Sequence, residues 1–106
     1  MQVHRFPPLR GAYALSSAPR LEFAPVSHAQ IGLCRFEKGL RSPQHGMRAS
    51  AAHELGYVVS GRLRIDTEGG SYEVQAGDLL TTSPALAHST TALEDSEIFF
   101  VLLDPK

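Results

Sequence analysis

The sequence predicts an all-β fold, a small antiparallel barrel or double-sheet jelly roll with an extended N-terminal arm, on three observations. From residue 29 onward, short β-type runs are punctuated by glycine or proline at the eight-to-twelve-residue spacing of sandwiches and barrels. Helical periodicity is nowhere sustained. A chain of 106 residues holds one core and is too short to divide into two. Roughly eight short strands without helices bury one core only by closing on themselves or by packing as two sheets.

Residues 1–26 read as the arm and 27–106 as the barrel domain. In "MQVHRFPPLRGAYALSSAP", Pro7, Pro8, Arg10 and Gly11 interrupt any apolar run, so no signal-peptide core is expected there, and no later run is long enough to span a bilayer. Tyr13, Leu15, Leu21 and Phe23 give the arm enough apolar surface to pair with a sheet edge or to cross to a second copy of the chain.

"AQIGLCRFE" (29–37) opens the barrel, with Ile31 and Leu33 alternating against Gln30, Gly32 and Cys34. "ELGYVVS" (54–60) sets Glu54, Gly56 and Val58 on one face and Leu55, Tyr57 and Val59 on the other. Both faces are largely apolar, so one is expected to line the interior and the other to meet a second layer or subunit; Tyr57 and Phe99 are assigned to that packing. Ser60-Gly61 turns this strand into "RLRID", where Leu63 and Ile65 alternate with a wet face of Arg62, Arg64 and Asp66. Glu68-Gly69-Gly70 turns into "SYEV", Ala76-Gly77-Asp78 into "DLLTT", and Ser83-Pro84 ends that run before "LAHSTTAL". "ALEDS" reads as a solvated loop, and "SEIFFVLL" (96–103) closes the series.

A formal net charge of −1 gives no general attraction to nucleic acid or to an acidic membrane, so neither is expected as a partner. The single cysteine, Cys34, permits no internal disulfide; it reads as a small core filler, and the composition fits a reducing cytoplasm.

Polar residues then fall into a spaced pattern. Gly39 is followed after five residues by His45, after one more by Met47, after six by Glu54 and after six by Gly61. Beyond the next hairpin come Gly77-Asp78, Pro84 and His88. Over about residues 37–103 the chain resembles the cupin superfamily, and small bacterial single-domain cupins in particular. The first cupin motif is a glycine, five residues, His-x-His, a short spacer, a glutamate, six residues and a glycine. Gly39, His45, Glu54 and Gly61 sit on it, with Met47 in place of the second histidine and a longer spacer before Glu54. The second motif, glycine, five residues, proline, any residue, glycine, two residues, histidine, is matched by Gly77, Ser83, Ala85 and His88, with Pro84 displaced by one. An alignment without the long spacer instead puts Arg48 and Ser50 at the His-x-His positions and leaves Glu54 and His88 as inherited ligands. The first alignment is preferred because Gly39 then falls in place and "PQHGM" resembles a common cupin entry.

The resemblance implies a double-stranded β-helix and a divalent metal in the barrel on His45, Glu54 and His88. Met47, His53, Arg48 and Thr90 are candidate additional ligands or pocket residues. Strand alternation agrees for Glu54, which shares a face with Gly56 and Val58, and for His88, which shares one with Leu86 and Thr90. Two imidazoles and a carboxylate would accept Fe, Mn, Ni, Zn or Cu, and Met47 is read as packing ahead of ligation. His4, His28 and His53 read as surface or strand-end residues. Arg41 and Arg48 flank His45 and can meet an anionic substrate at the barrel mouth.

Two functions follow from the resemblance. One is a metalloenzyme of oxygenase, isomerase or lyase class acting on a small polar metabolite. The other is a non-catalytic small-ligand-binding or sensing cupin whose degenerate pocket works without metal. A homodimer is expected in either case.

Overall fold

The computed structural model describes residues 5, 7–17 and 28–104. His4, Leu21 and Phe23 therefore lie outside the described residues. Among those described there are nine strands and no helix: β1 (Tyr13–Ser17), β2 (His28–Phe36), β3 (Arg41–Ser42), β4 (His53–Ser60), β5 (Arg62–Thr67), β6 (Gly70–Gln75), β7 (Leu79–Thr82), β8 (His88–Ala92) and β9 (Ser96–Asp104). They form two antiparallel sheets, β1-β2-β9-β4-β7 and β3-β8-β5-β6. This is the two-sheet jelly roll that the turn spacing predicted. Among the described residues no helix is long and apolar enough to cross a membrane.

Each hairpin forms where its turn chemistry allows. Gly61, at φ 87°, joins β4 to β5, and a Cβ there would collide with Ser96 Oγ and the Asp95 carbonyl oxygen. Only glycine fits that position, sterically and conformationally. The β5–β6 hairpin pairs Leu63 with Val74, and the wet face of β5 carries Arg62, which donates to Glu73 at 2.7 Å and to Glu94 at 3.2 Å.

The two sheets pack their inner faces together at one end of the barrel. Cys34, Ile98 and Val58 align across β2, β9 and β4, facing Leu63, Val74 and Ala92 of the other sheet. Val58 and Leu63 have no exposed surface. At typical values, truncating Leu63 to alanine costs about 2–5 kcal/mol. The buried face of β2 is the Gly32, Cys34 and Phe36 side, which carries fewer large aliphatics than the Ile31 and Leu33 side. Sheet pairing explains this choice, because Gly32 lies opposite Phe100 and a Cβ at position 32 would stand 2.6 Å from the ring Cζ. The ring therefore lies over Gly32, whereas Gly56, its pairing partner on β4, faces Ile98 and Leu80.

Toward the other end the inner faces become polar. On β4 the inward series runs from Val58 through Gly56 to Glu54, and on β8 from Ala92 through Thr90 to His88. The polar ends of both strands lie at the same end of the barrel, and that is where a site can form. Among the described residues, no second layer covers the outer side of β4: Tyr57 and Phe99 stand opposite each other on the outer face, 45% and 37% exposed.

Candidate functional site

β3 determines which residues enter the polar end. Ser42 pairs with Thr90, so an unbroken ladder would set residue 44 against His88; Arg48 stands there instead. Four residues are therefore looped out between β3 and the Arg48 bridge. Arg41 steadies this loop by donating to the carbonyl oxygens of Pro43 at 2.7 Å and Gly46 at 2.8 Å. That commits its guanidinium to backbone and keeps it off the cavity.

Residues paired across a ladder share a face, so Arg48 projects inward beside His88, and Ser42 beside Thr90. Arg48 Nη2 donates to Ser42 Oγ at 3.0 Å. Two residues on, Ser50 also lines the cavity and is tied by its carbonyl oxygen to the Ala85 N–H at 2.7 Å. Ala85 occupies the glycine position of the second motif and adopts a left-handed φ of 66°.

Glu54 enters from β4, between Thr82 of β7 and Leu102 of β9. Its Oε2 lies 3.9 Å from His88 Nε2, beyond hydrogen-bond reach but within Coulombic contact. His88 Nδ1 lies 3.2 Å from the Leu86 carbonyl oxygen. That oxygen can only accept, so Nδ1 carries the proton and Nε2 faces Glu54.

These side chains surround a cavity of about 230 Å³ walled by Arg48, Ser50, Glu54, His88, Thr90 and Phe100. Tyr13 and Leu15 of β1 close its side, so the N-terminal strand is part of the site. Tyr13 packs edge-on against Phe36 with centroids 5.5 Å apart. Burial pushes the Tyr13 phenol and the Cys34 thiol up, each also affecting the other, while the Arg48 charge pulls both the other way. The guanidinium is thus felt inside the barrel.

Of the sequence-predicted site residues, the structure brings together Glu54, His88, Arg48 and Thr90 and leaves three outside. His45 and Met47 are exposed on the looped-out segment and line no part of this cavity. His53 opens β4 on the opposite face from Glu54, across from Leu103. Ser42 and Tyr13 are site residues that the sequence reading did not include. Ser42 could have been found from the spacer-free alignment, whereas Tyr13 had only its apolar character as a signal. Among the described residues no three His, Cys, Asp or Glu side chains converge as a metal centre. Glu54 and His88 supply two donors where catalytic metal sites usually have three, and a cation, Arg48, stands beside them. This donor set does not fit a resident divalent metal.

A family model described as Cupin domain matches residues 32–103. Solved structures similar to this chain include a cupin superfamily protein from Desulfitobacterium hafniense, with a TM-score of 0.73 at 12% identity over 93% of this chain and 84% of that one. KdgF from a Halomonas species superposes with a TM-score of 0.71 at 19% identity, over 97% of this chain and 90% of its own. The Clostridium difficile EutQ protein gives 0.69 at 16% identity over 87% and 68%. These likenesses show the fold. No curated protein matches the sequence.

Proposed function

The chain belongs to the Cupin domain family, and on that premise we propose that it is a small-ligand-binding cupin whose barrel takes a carboxylate-bearing metabolite without a resident metal. The observation that carries this reading is Arg48 at the cavity wall, paired to His88 and anchored on Ser42. A guanidinium presents several N–H donors and suits the two oxygens of a carboxylate, and Arg48, at the solvent-exposed rim of the cavity, offers them where a ligand enters. Glu54 and His88 then orient the polar groups next to the carboxylate, Glu54 by accepting and His88 through Nε2.

Thermal-shift and calorimetric titration with small hydroxy and keto acids, lactate and pyruvate among them, test the reading. Binding is expected to survive EDTA, to be absent for the matching amides, and to fall at least tenfold in Arg48→Gln. The rival reading, Fe, Mn, Ni, Zn or Cu on His45, Glu54 and His88, requires His45 to leave its exposed loop. Stoichiometric metal in untagged protein, lost with ligand binding in His45→Ala and His88→Ala, would overturn the metal-free reading.

A homodimer also fits this fold. Leu33, Phe99, Tyr57 and Leu79 form one row across the outer face of the five-stranded sheet, an apolar strip of the kind that second copies cover.

A further inference from the structure

The Arg48 cavity is the first of three adjoining cavities that share wall residues in series. A second, about 150 Å³, shares Glu54, His88, Thr90 and Phe100 with it. A third, about 450 Å³, shares Ile65, Leu80, Thr82 and His88 with the second. It opens between β7, the last strand of one sheet, and β6, the last strand of the other. Its wall includes Tyr72, Leu80 and Leu86, and apart from His88 no titratable side chain but the Tyr72 phenol lines it among the described residues. His88 alone touches all three spaces together with the charged end.

The ladder gives the scale. Arg48, through its isolated bridge to His88, forms one row with His88, Thr67 and Gly70 of β8, β5 and β6. At a strand spacing of roughly 4.8 Å, Arg48 lies about 10 Å from the Thr67 backbone and about 14 Å from that of β6. One end of this passage is cationic and the other apolar, and the two are separated by the length of a medium-sized chain.

We propose that the ligand is an amphipathic monocarboxylate, its carboxylate on Arg48 and its hydrocarbon body running past His88 into the cleft between β6 and β7. This rests on the carboxylate-binding reading above and adds the class of the rest of the molecule. A small polar acid would fill only the first cavity and leave the apolar cleft in contact with water; a hydrocarbon chain removes that surface from water.

The test is calorimetric titration of the full-length chain with acetate, butanoate, hexanoate and octanoate. Affinity is expected to rise about fourfold per methylene, as chain burial dictates. Leu86→Asp places a charge in the cleft at an exposed position and is expected to flatten that rise while leaving acetate binding unchanged. Arg48→Gln is expected to weaken every member of the series alike. Equal affinity for acetate and octanoate, or a chain-length dependence that Leu86→Asp does not alter, overturns this inference and leaves the carboxylate reading standing. Failure of every acid, acetate included, overturns both.

Discussion

Arg48 and His88 exchange backbone hydrogen bonds, each N–H donating to the other's carbonyl oxygen at 3.0 Å. In this ladder the extra residues lie before Arg48, and Arg48 and Ser50 stand where the spacer-free alignment puts His-x-His. His45→Ala and Met47→Ala are therefore expected to change stability by less than about 0.5 kcal/mol, as exposed substitutions do, and to leave acid binding intact. Chemical denaturation with parallel titrations checks both; a tenfold loss of binding in His45→Ala would reverse the assignment.

Ala85 is held at a left-handed φ by its bond to Ser50 and the turn before β8. Such a conformation costs an L-residue about 1–2 kcal/mol, part of which glycine would return to unfolded-chain entropy. Ala85→Gly is expected to stabilise the fold by about 0.5–1 kcal/mol, seen as a midpoint shift in denaturant at constant slope. A destabilised Ala85→Gly would show that the strain is absent.

Alkaline pH should loosen the site. The Cys34 thiol and Tyr13 phenol are raised by burial above their ordinary values of 9.0 and 10.0. In the window above those values the unfolded chain releases protons that the native chain retains, so stability is full below about pH 9 and falls as pH rises. Melting temperature followed from pH 7 to 11 is expected to decline from about pH 9, with Cys34→Ala delaying the onset. An unchanged onset in Cys34→Ala would remove the thiol from this account.

The outer row through Tyr57 and Phe99 carries the oligomer prediction. Sedimentation at micromolar concentration is expected to give a dimer, and Tyr57→Lys, with a charge on the strip, a monomer. A monomer for the unsubstituted chain would contradict it.

Much of the fold was legible because short-range signals set it. Gly61, Gly70 and Gly77 mark turns whose left-handed backbone few other residues adopt, and period-2 alternation correctly turned Glu54 inward and Tyr57 outward. The position of the first motif was not legible, because a looped-out segment has no periodicity and spacing alone cannot say on which side of a motif the extra residues fall. Counting from Gly39 favoured His45; the hydrogen-bond ladder with β8, a contact forty residues away in sequence, favours Arg48. The contribution of β1 was hidden for the same reason, since only its pairing with β2 brings Tyr13 and Leu15 to the cavity. The outer face of β4, read as meeting a second layer or a subunit, is apolar and, among the described residues, has no second layer over it.

Phe100, lying over Gly32, bounds both the first and second cavities. The depth of the interior thus depends on one ring and one missing methyl group, neither of which takes part in polar recognition. A smaller side chain at position 100 enlarges the first and second cavities, and a methyl at position 32 meets both this ring and the Ser16 carbonyl oxygen, while neither position touches the charged groups of Arg48, Glu54 and His88. Ligand size and ligand chemistry can therefore drift independently in descendants of this chain, through single substitutions that leave the charged end unaltered.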